Sequence, residues 1–520
     1  MNLYEKVAEK LRAHPYAKAY PVLAAFLFYS FIVFGPFLSG LQRVHDSYLV
    51  ERFGGYGFMA NMLFNQGRVL SSWYYRVLLF LGPPYNGAMA VSVGLSLIFL
   101  SIAAYIVFCQ VRKFAPPETC RNHYVFAAMG SGMIFFNVFI AESMIFFENA
   151  IMSLGILLAV LASDLFLRGG RKGYLGSLIC LIVSMFSYQA SSVFFPPLVI
   201  LFLGAKYKEQ LSLLLRKISF AALIYGAALL VNFIFLLLVS DDVRFAGEVN
   251  LLWNIYRSLL SFLWFGLNNF GFMPDFVFSL FLLAFLGILI YTCRKRKEFK
   301  LLLISLIAFI AVFATNFLLL LPMASDDWYI LPRSAVAMAG IGGFMIISIA
   351  LCAKKIHKST LLLTAVFVLM VSHVQLDIQR NNYANNQLDM QELHQIVETI
   401  RAYETYHGLE VNRVLFAYET PREWQRETLS HYNDLTVRIL RVSWMPEPLL
   451  WRYFGRDLVV LPMSEALSQE EMERISGKRE SHWFTNGRLV FEGGSVYIFF
   501  ENDRPPEPAA SEYQYTIGEG

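Results

Sequence analysis

Apolar runs long enough to cross a bilayer follow one another along most of this chain, and that succession decides what it can fold into. The hydrocarbon layer of a membrane is about 30 Å thick, a distance spanned by about 20 apolar residues in a helix. Runs of that order lie near residues 21–41, 87–110, 123–141, 149–167, 174–190, 192–205, 218–240, 275–293, 301–321, 335–353 and 359–376. Of the 520 residues, 57% are hydrophobic and only 16% charged. A soluble fold of this size has nowhere to hide that much apolar surface. The expected class is an all-α polytopic membrane protein with about eleven transmembrane helices.

The connections alternate in charge. Arg112, Lys113 and Arg121 are followed by Arg168, Arg171 and Lys172, then by Lys206, Lys208, Arg216 and Lys217. The series continues with Arg294, Lys295, Arg296, Lys297 and Lys300 and ends at Lys354, Lys355 and Lys358. Lys6, Lys10, Arg12 and Lys18 before the first run fall in the same phase. Basic connections stay on the cytoplasmic side, so the amino terminus is expected inside and the carboxy terminus outside. At 174–205, Tyr188-Gln189 and Pro196-Pro197 interrupt the apolar run, which reads as a hairpin or as one broken span. One crossing fewer would put the later basic loops outside, which favours the hairpin.

The first run is longer than the core of a signal peptide and lacks a small-x-small exit, so it is expected to stay as a span. Leu3, Val7 and Leu11 recur at helical spacing and predict an amphipathic helix within 1–20 on the inner membrane face. All five cysteines fall in spans or near their cytoplasmic ends, so no external disulfide framework or thiolate metal site is expected.

After about residue 376 the composition becomes that of a soluble domain, expected as a small extracytoplasmic α/β unit over 377–500. Asp389–Tyr406 reads as an amphipathic helix, and Val411–Tyr418, Thr436–Val442 and Leu458–Leu461 as strands. Ser468 with Glu471 fits a capping box, and Gly493-Gly494 between two alternating segments predicts a hairpin. The Pro/Glu-rich tail 501–520 is expected to be disordered. Contact with an acceptor polymer, or cover for a membrane site, are the expected roles of the α/β unit.

The external connections carry the candidate chemistry. In 42–86, His45-Asp46 follows the first span, and Gln66-Gly67-Arg68 and an aromatic run including Trp73, Tyr74 and Tyr75 come after it. One or two short helices lying at the interface are expected there, with their rings at headgroup level. A solvated acid and a snorkelling arginine are the plain alternative. Asp241-Asp242 opens the loop 241–274 and is the candidate holder of a divalent cation, Mg²⁺ or Mn²⁺, or else a charged stop at a span's end. No cofactor is demanded by the sequence. Trp253, Tyr256 and Trp264 suggest another interfacial helix. Asp326-Asp327 precedes Pro332-Arg333, and an arginine at the outer leaflet runs against the usual charge bias. Arg333 is therefore a candidate for gripping phosphate oxygens, with Asp326 and Asp327 as alternative salt-bridge partners. Glu142 and Glu148 bracket the turn between the third and fourth runs, near the outer face, and read either as functional acids within the membrane or as acids that reach headgroup water. Tyr188-Gln189, at the next outer turn, suits hydrogen bonds to a sugar or to the carbonyls of a broken helix.

Taken in order, His45-Asp46-Ser-Tyr48, Gln66-Gly67-Arg68, Ser187-Tyr188-Gln189-Ala190 and Pro332-Arg333 on this topology resemble the GT-C class of membrane glycosyltransferases. More narrowly they resemble the bacterial and phage O-antigen glucosyltransferase family, over about residues 20–376. Members commonly carry two adjacent acids after the first span, where this chain has His45-Asp46. The resemblance implies a polyprenyl-phosphate sugar as donor, undecaprenyl-phosphate glucose, and a cell-surface glycan as acceptor, at the outer face of the cytoplasmic membrane. It implies Asp46 as base in one inverting displacement, with Arg333 and Arg68 on the departing phosphate. His45, Glu142, Tyr188, Gln189, Asp326 and Asp327 are then the candidates for binding substrate. The bilayer is the remaining partner, and no nucleic acid is expected. A transporter or flippase of lipid-linked saccharide, a polysaccharide polymerase, and a non-enzymatic scaffold that binds a wall polymer are the competing readings.

Overall fold

The computed structural model describes residues 20–40, 55–116, 121–239, 249–268, 276–320, 332–419, 440, 445–456, 458–479 and 488–501. The chain divides into two compact units, the first made of Met1–Gly40 and Met59–Asp377 and the second of Leu41–Phe58 and Ile378–Gly520. Most described residues are helical. Eight helical stretches are long and apolar enough to cross a membrane: Tyr20–Ser39, Tyr85–Phe114, Asn149–Arg168, Gln189–Tyr207, Leu211–Val239, Val277–Arg296, Phe299–Leu319 and Lys358–His407. The other three expected runs are helical in part and do not join these eight. Arg121–Phe135 has 15 residues, Gly170–Ser187 opens on Arg171 and Lys172, and the third is cut by Gly340 into Val336–Ala339 and Ile341–Cys352.

Lys358–His407 corrects the expected separation of a last span from an amphipathic helix, because it is one continuous element of 50 residues. Neither Gly nor Pro occurs within it, so nothing local stops propagation until Gly408, whose positive φ of 63° suits a left-handed terminus.

Small residues set a close helix contact in the first unit. A Cβ at Gly343 would lie 2.5 Å from the Ile134 nitrogen and 2.7 Å from the Gly130 oxygen. Ile341–Cys352 therefore rests directly on the backbone of Arg121–Phe135, an approach only glycine permits. The first of these helices runs into the segment that carries Glu142, and the second follows the turn that carries Arg333.

In the second unit, β1 (Arg413–Glu419), β2 (Val459–Pro462), β3 (Leu489–Glu492) and β4 (Ser495–Glu501) form a sheet in the order β2-β1-β4-β3. β1 is parallel to β2 and β4, and β3 pairs antiparallel with β4 through Gly493, whose φ is 59°. Period-two alternation decides the faces. Val414, Phe416, Val496 and Ile498 pack with Leu393, Ile396, Val397 and Ile400 of the long helix, while Leu415, Tyr497 and Phe499 pack with Met463 and Ile475. Ser468 and Glu471 form the expected capping box at the start of Gln469–Gly477. The expected strand Thr436–Val442 lies outside the described residues except for Leu440, a buried core side chain.

Candidate active site

The centre of the first unit is the connection 136–148, every residue of which is buried. It contains one short helix, Ile140–Met144, so most of its backbone polar groups need partners from elsewhere. Side chains supply many of them. Asn137 donates to the Ile134 and Val336 carbonyls and accepts from the Phe139 N–H. Gln375 donates to the Phe136 and Asn137 carbonyls, at 3.1 and 2.7 Å. Asn149 donates to the Met144 carbonyl and accepts from Ser96, and Ser92 donates to the Phe147 carbonyl. A largely irregular segment bonded at so many points is a rigid platform, and Glu142 and Glu148 stand on it.

Arg333 reaches the platform from the turn Pro332–Ser334, which packs against Ile140–Met144 and the 3-10 turn Gln189–Phe194. Its backbone N–H donates to Glu142 Oε2 at 2.5 Å and its guanidinium Nη1 to Oε1 at 3.2 Å. The guanidinium carbon lies 4.5 Å from the centre of the Phe146 ring. The Glu142 side chain is fully buried, and that of Arg333 is 14% exposed.

Arg68 arrives from the other side of the sequence with the same kind of company. Gly67, at φ 75°, makes the turn before Val69–Leu81, and a Cβ there would fall 2.5 Å from a Leu236 methyl group. Gln189 Nε2 donates to the Gln66 carbonyl at 3.1 Å, and Ser71 donates to the Ser187 carbonyl at 3.0 Å. So anchored, Arg68 places Nη1 3.8 Å from Glu148 Oε1 and its guanidinium carbon 4.8 Å from the centre of the Tyr188 ring. The Tyr75 hydroxyl donates to Glu148 Oε2 at 2.8 Å.

Of the residues singled out in the sequence, Arg68, Glu142, Tyr188, Gln189 and Arg333 thus meet around one buried turn. His45, Asp46, Asp241, Asp242, Asp326 and Asp327 lie outside the described residues. Glu142 and Glu148 are buried within the protein, 0% and 1% exposed. Each has an arginine beside it, which offsets part of the cost of burying its charge. Tyr75 is fully buried, and its hydroxyl has a carboxylate to donate to. Its signal was available, since Ser71, Ser72, Tyr75 and Leu78 share one helical face and are all buried. Phe146, the ring beneath Arg333, carried no such signal.

Chemically, two guanidiniums balanced by two carboxylates make a cluster that is neutral when both pairs are ionised. A guanidinium carries five N–H donors in a planar fork, so a carboxylate and a phosphate can share one. Among the described residues no three His, Cys, Asp or Glu gather as a metal centre.

The family described as Glucosyl transferase GtrII matches residues 55–345, more than half of the chain. The range contains both arginines, both glutamates and Tyr188-Gln189; His45-Asp46 precedes it and Ile378–Gly520 of the second unit follows it. No curated protein and no solved structure matches the chain.

Proposed function

The chain belongs to the GtrII glucosyl transferase family, and on that premise we propose that it moves glucose from a polyprenyl-phosphate donor to a cell-surface glycan. The reaction takes place at the outer face of the cytoplasmic membrane, with the amino terminus inside and the second unit outside, as the alternation of basic connections suggests. Nucleotide sugars stay in the cytoplasm, so an external site needs a sugar carried across on a lipid.

The observation that carries this reading is the convergence of Arg68 and Arg333 on one buried turn, within the matched range. A glycosyl phosphate leaves as an anion, and preoriented guanidiniums in a water-poor site stabilise charge as it develops. Asp46 takes the proton from the acceptor hydroxyl as that oxygen attacks the anomeric carbon, and the C–O bond to phosphate breaks on the opposite face. One displacement inverts the anomeric centre. The phosphate is a good leaving group, so no general acid is required. His45, Tyr188, Gln189, Asp326 and Asp327 are assigned to sugar or acceptor contacts. Asp241 and Asp242 remain the candidates for a divalent cation, on which no step depends.

Purified full-length protein given polyprenyl-phosphate glucose and candidate surface glycans is expected to transfer glucose. Asp46→Asn is expected to abolish transfer while leaving donor binding largely intact. Full activity in that variant removes Asp46 from the mechanism. A cysteine placed at position 46 is expected to react with an impermeant reagent from outside the cell, and labelling only from the inside reverses the topology.

A further inference from the structure

We infer that Glu142 and Glu148 are positioning residues that aim Arg333 and Arg68 at the donor phosphate, and that neither carboxylate is a ligand of the sugar. The inference rests on the phosphate role proposed for the two arginines and adds what orients them.

Both oxygens of Glu142 are engaged by Arg333, one by its backbone N–H and the other by its guanidinium. A carboxylate that binds the backbone and the side-chain tip of the same residue fixes the direction of the chain between them. The Phe146 ring, 4.5 Å from the guanidinium carbon, adds a contact that favours one plane. Glu142 has no exposed surface, so a sugar hydroxyl could reach it only by displacing that arginine.

The arrangement is repeated with different parts at Glu148. Tyr75 donates to one oxygen, Arg68 stands at the other, and the Tyr188 ring lies against the guanidinium. Two acid–arginine–ring sets built from unrelated segments share one feature, the turn 136–148 that carries both acids. Because Asn137, Asn149, Ser92 and Gln375 pin the backbone of that turn, both arginines are referred to a single rigid body. Each guanidinium is then held in a set direction before the donor arrives, which is what stabilising a phosphate in the transition state demands. The carboxylates also cancel two buried positive charges that would otherwise repel each other when the site is empty.

The test compares two probes on full-length protein in detergent: polyprenyl-phosphate glucose, and polyprenyl phosphate without sugar. Size-exclusion profiles establish that each variant is folded. Arg333→Ala and Glu142→Gln are each expected to weaken both probes by the same factor, about tenfold, the size of one charge-assisted hydrogen bond. Phe146→Leu, which alters no charge, is expected to weaken both by about threefold through lost stacking; it carries the comparison if Glu142→Gln does not fold. A Glu142→Gln defect confined to the glucose-bearing probe makes Glu142 a sugar ligand and overturns the inference. So does unchanged affinity for both probes in Glu142→Gln and Phe146→Leu when Arg333→Ala weakens both. If Arg333→Ala itself leaves both affinities unchanged, the phosphate assignment beneath the inference fails instead.

Discussion

Glu148 in the first unit and Glu492 in the second perform the same task with opposite quality of geometry. Glu492 receives two parallel bonds from Arg474, at 2.7 and 2.9 Å, and a third from Lys478 at 2.6 Å. Glu148 receives the Tyr75 hydroxyl at 2.8 Å and has an arginine nitrogen at 3.8 Å. Geometry alone would rank the surface pair as the stronger. Burial reverses the order. The Glu148 side chain is 2% exposed and Glu492 36%, so water takes over when the second pair is broken and cannot when the first is. A bond's worth is set by what replaces it.

The sharpest way to break this comparison is to remove Glu148. Glu148→Ala leaves the Arg68 charge largely buried without its partner and is expected to cost about 3–5 kcal/mol, read as lost thermal stability or lost monodisperse protein in detergent. Replacing the pair together, Glu148→Leu with Arg68→Met, is expected to recover much of that stability while donor binding stays impaired. A Glu148→Ala variant as stable as the parent would mean that water reaches the turn. Next in size is Tyr75→Phe, which deletes only the hydroxyl donor to Glu148. About 1.5–3 kcal/mol is expected, typical of a hydrogen bond to a charged group, and a thermal shift assay reads it. Much smaller is Glu492→Gln. Despite its three close bonds, it is expected to change hydrogen exchange at residues 489–501 of the full-length protein by no more than about 1 kcal/mol. A loss above that would show that bidentate geometry can outweigh solvent screening here.

The smallest effect is acid dependence of the second unit. Hydrogen bonds from Arg474, then from Lys478, hold the Glu492 carboxyl down from its ordinary 4.5 to about 2. A group depressed by folding contributes its stability in full above the unfolded value and loses it as pH falls through the folded one. The contribution is therefore expected to be constant above pH 4.5 and to fade between 4.5 and about 2. Screened as this pair is, it should amount to less than about 1 kcal/mol. Hydrogen exchange at residues 489–501, followed in Glu492→Gln and parent across that range, isolates it: the two should converge as the pH drops.

Much of the second unit was readable from local pattern. The hairpin at Gly493, the Ser468–Glu471 box and the strands near 413–419 and 459–462 each depend on neighbours within a few residues. The first unit was readable in its apolar runs and in the arginines that stood out against the charge bias. It was not readable in how acids and arginines pair. Asp326 and Asp327, seven and six residues away, were the local candidates to hold Arg333 and lie outside the described residues; a partner that the structure does show is Glu142, 191 residues away. Tyr75 looked like one of several interfacial rings until the packing of Val69–Leu81 put it against Glu148.

Hydropathy and loop charge were enough to read a mostly helical chain with several membrane-type helices and a separate α/β end. Those properties follow from transfer free energies and local hydrogen bonding, which each segment carries with it. Which acid holds which arginine came from packing alone. Gly343 on the backbone of Ile134, the pinned turn 136–148 and the Gly67 turn bring distant segments together. The strength of an ion pair depends on the water excluded around it, and no segment excludes water by itself.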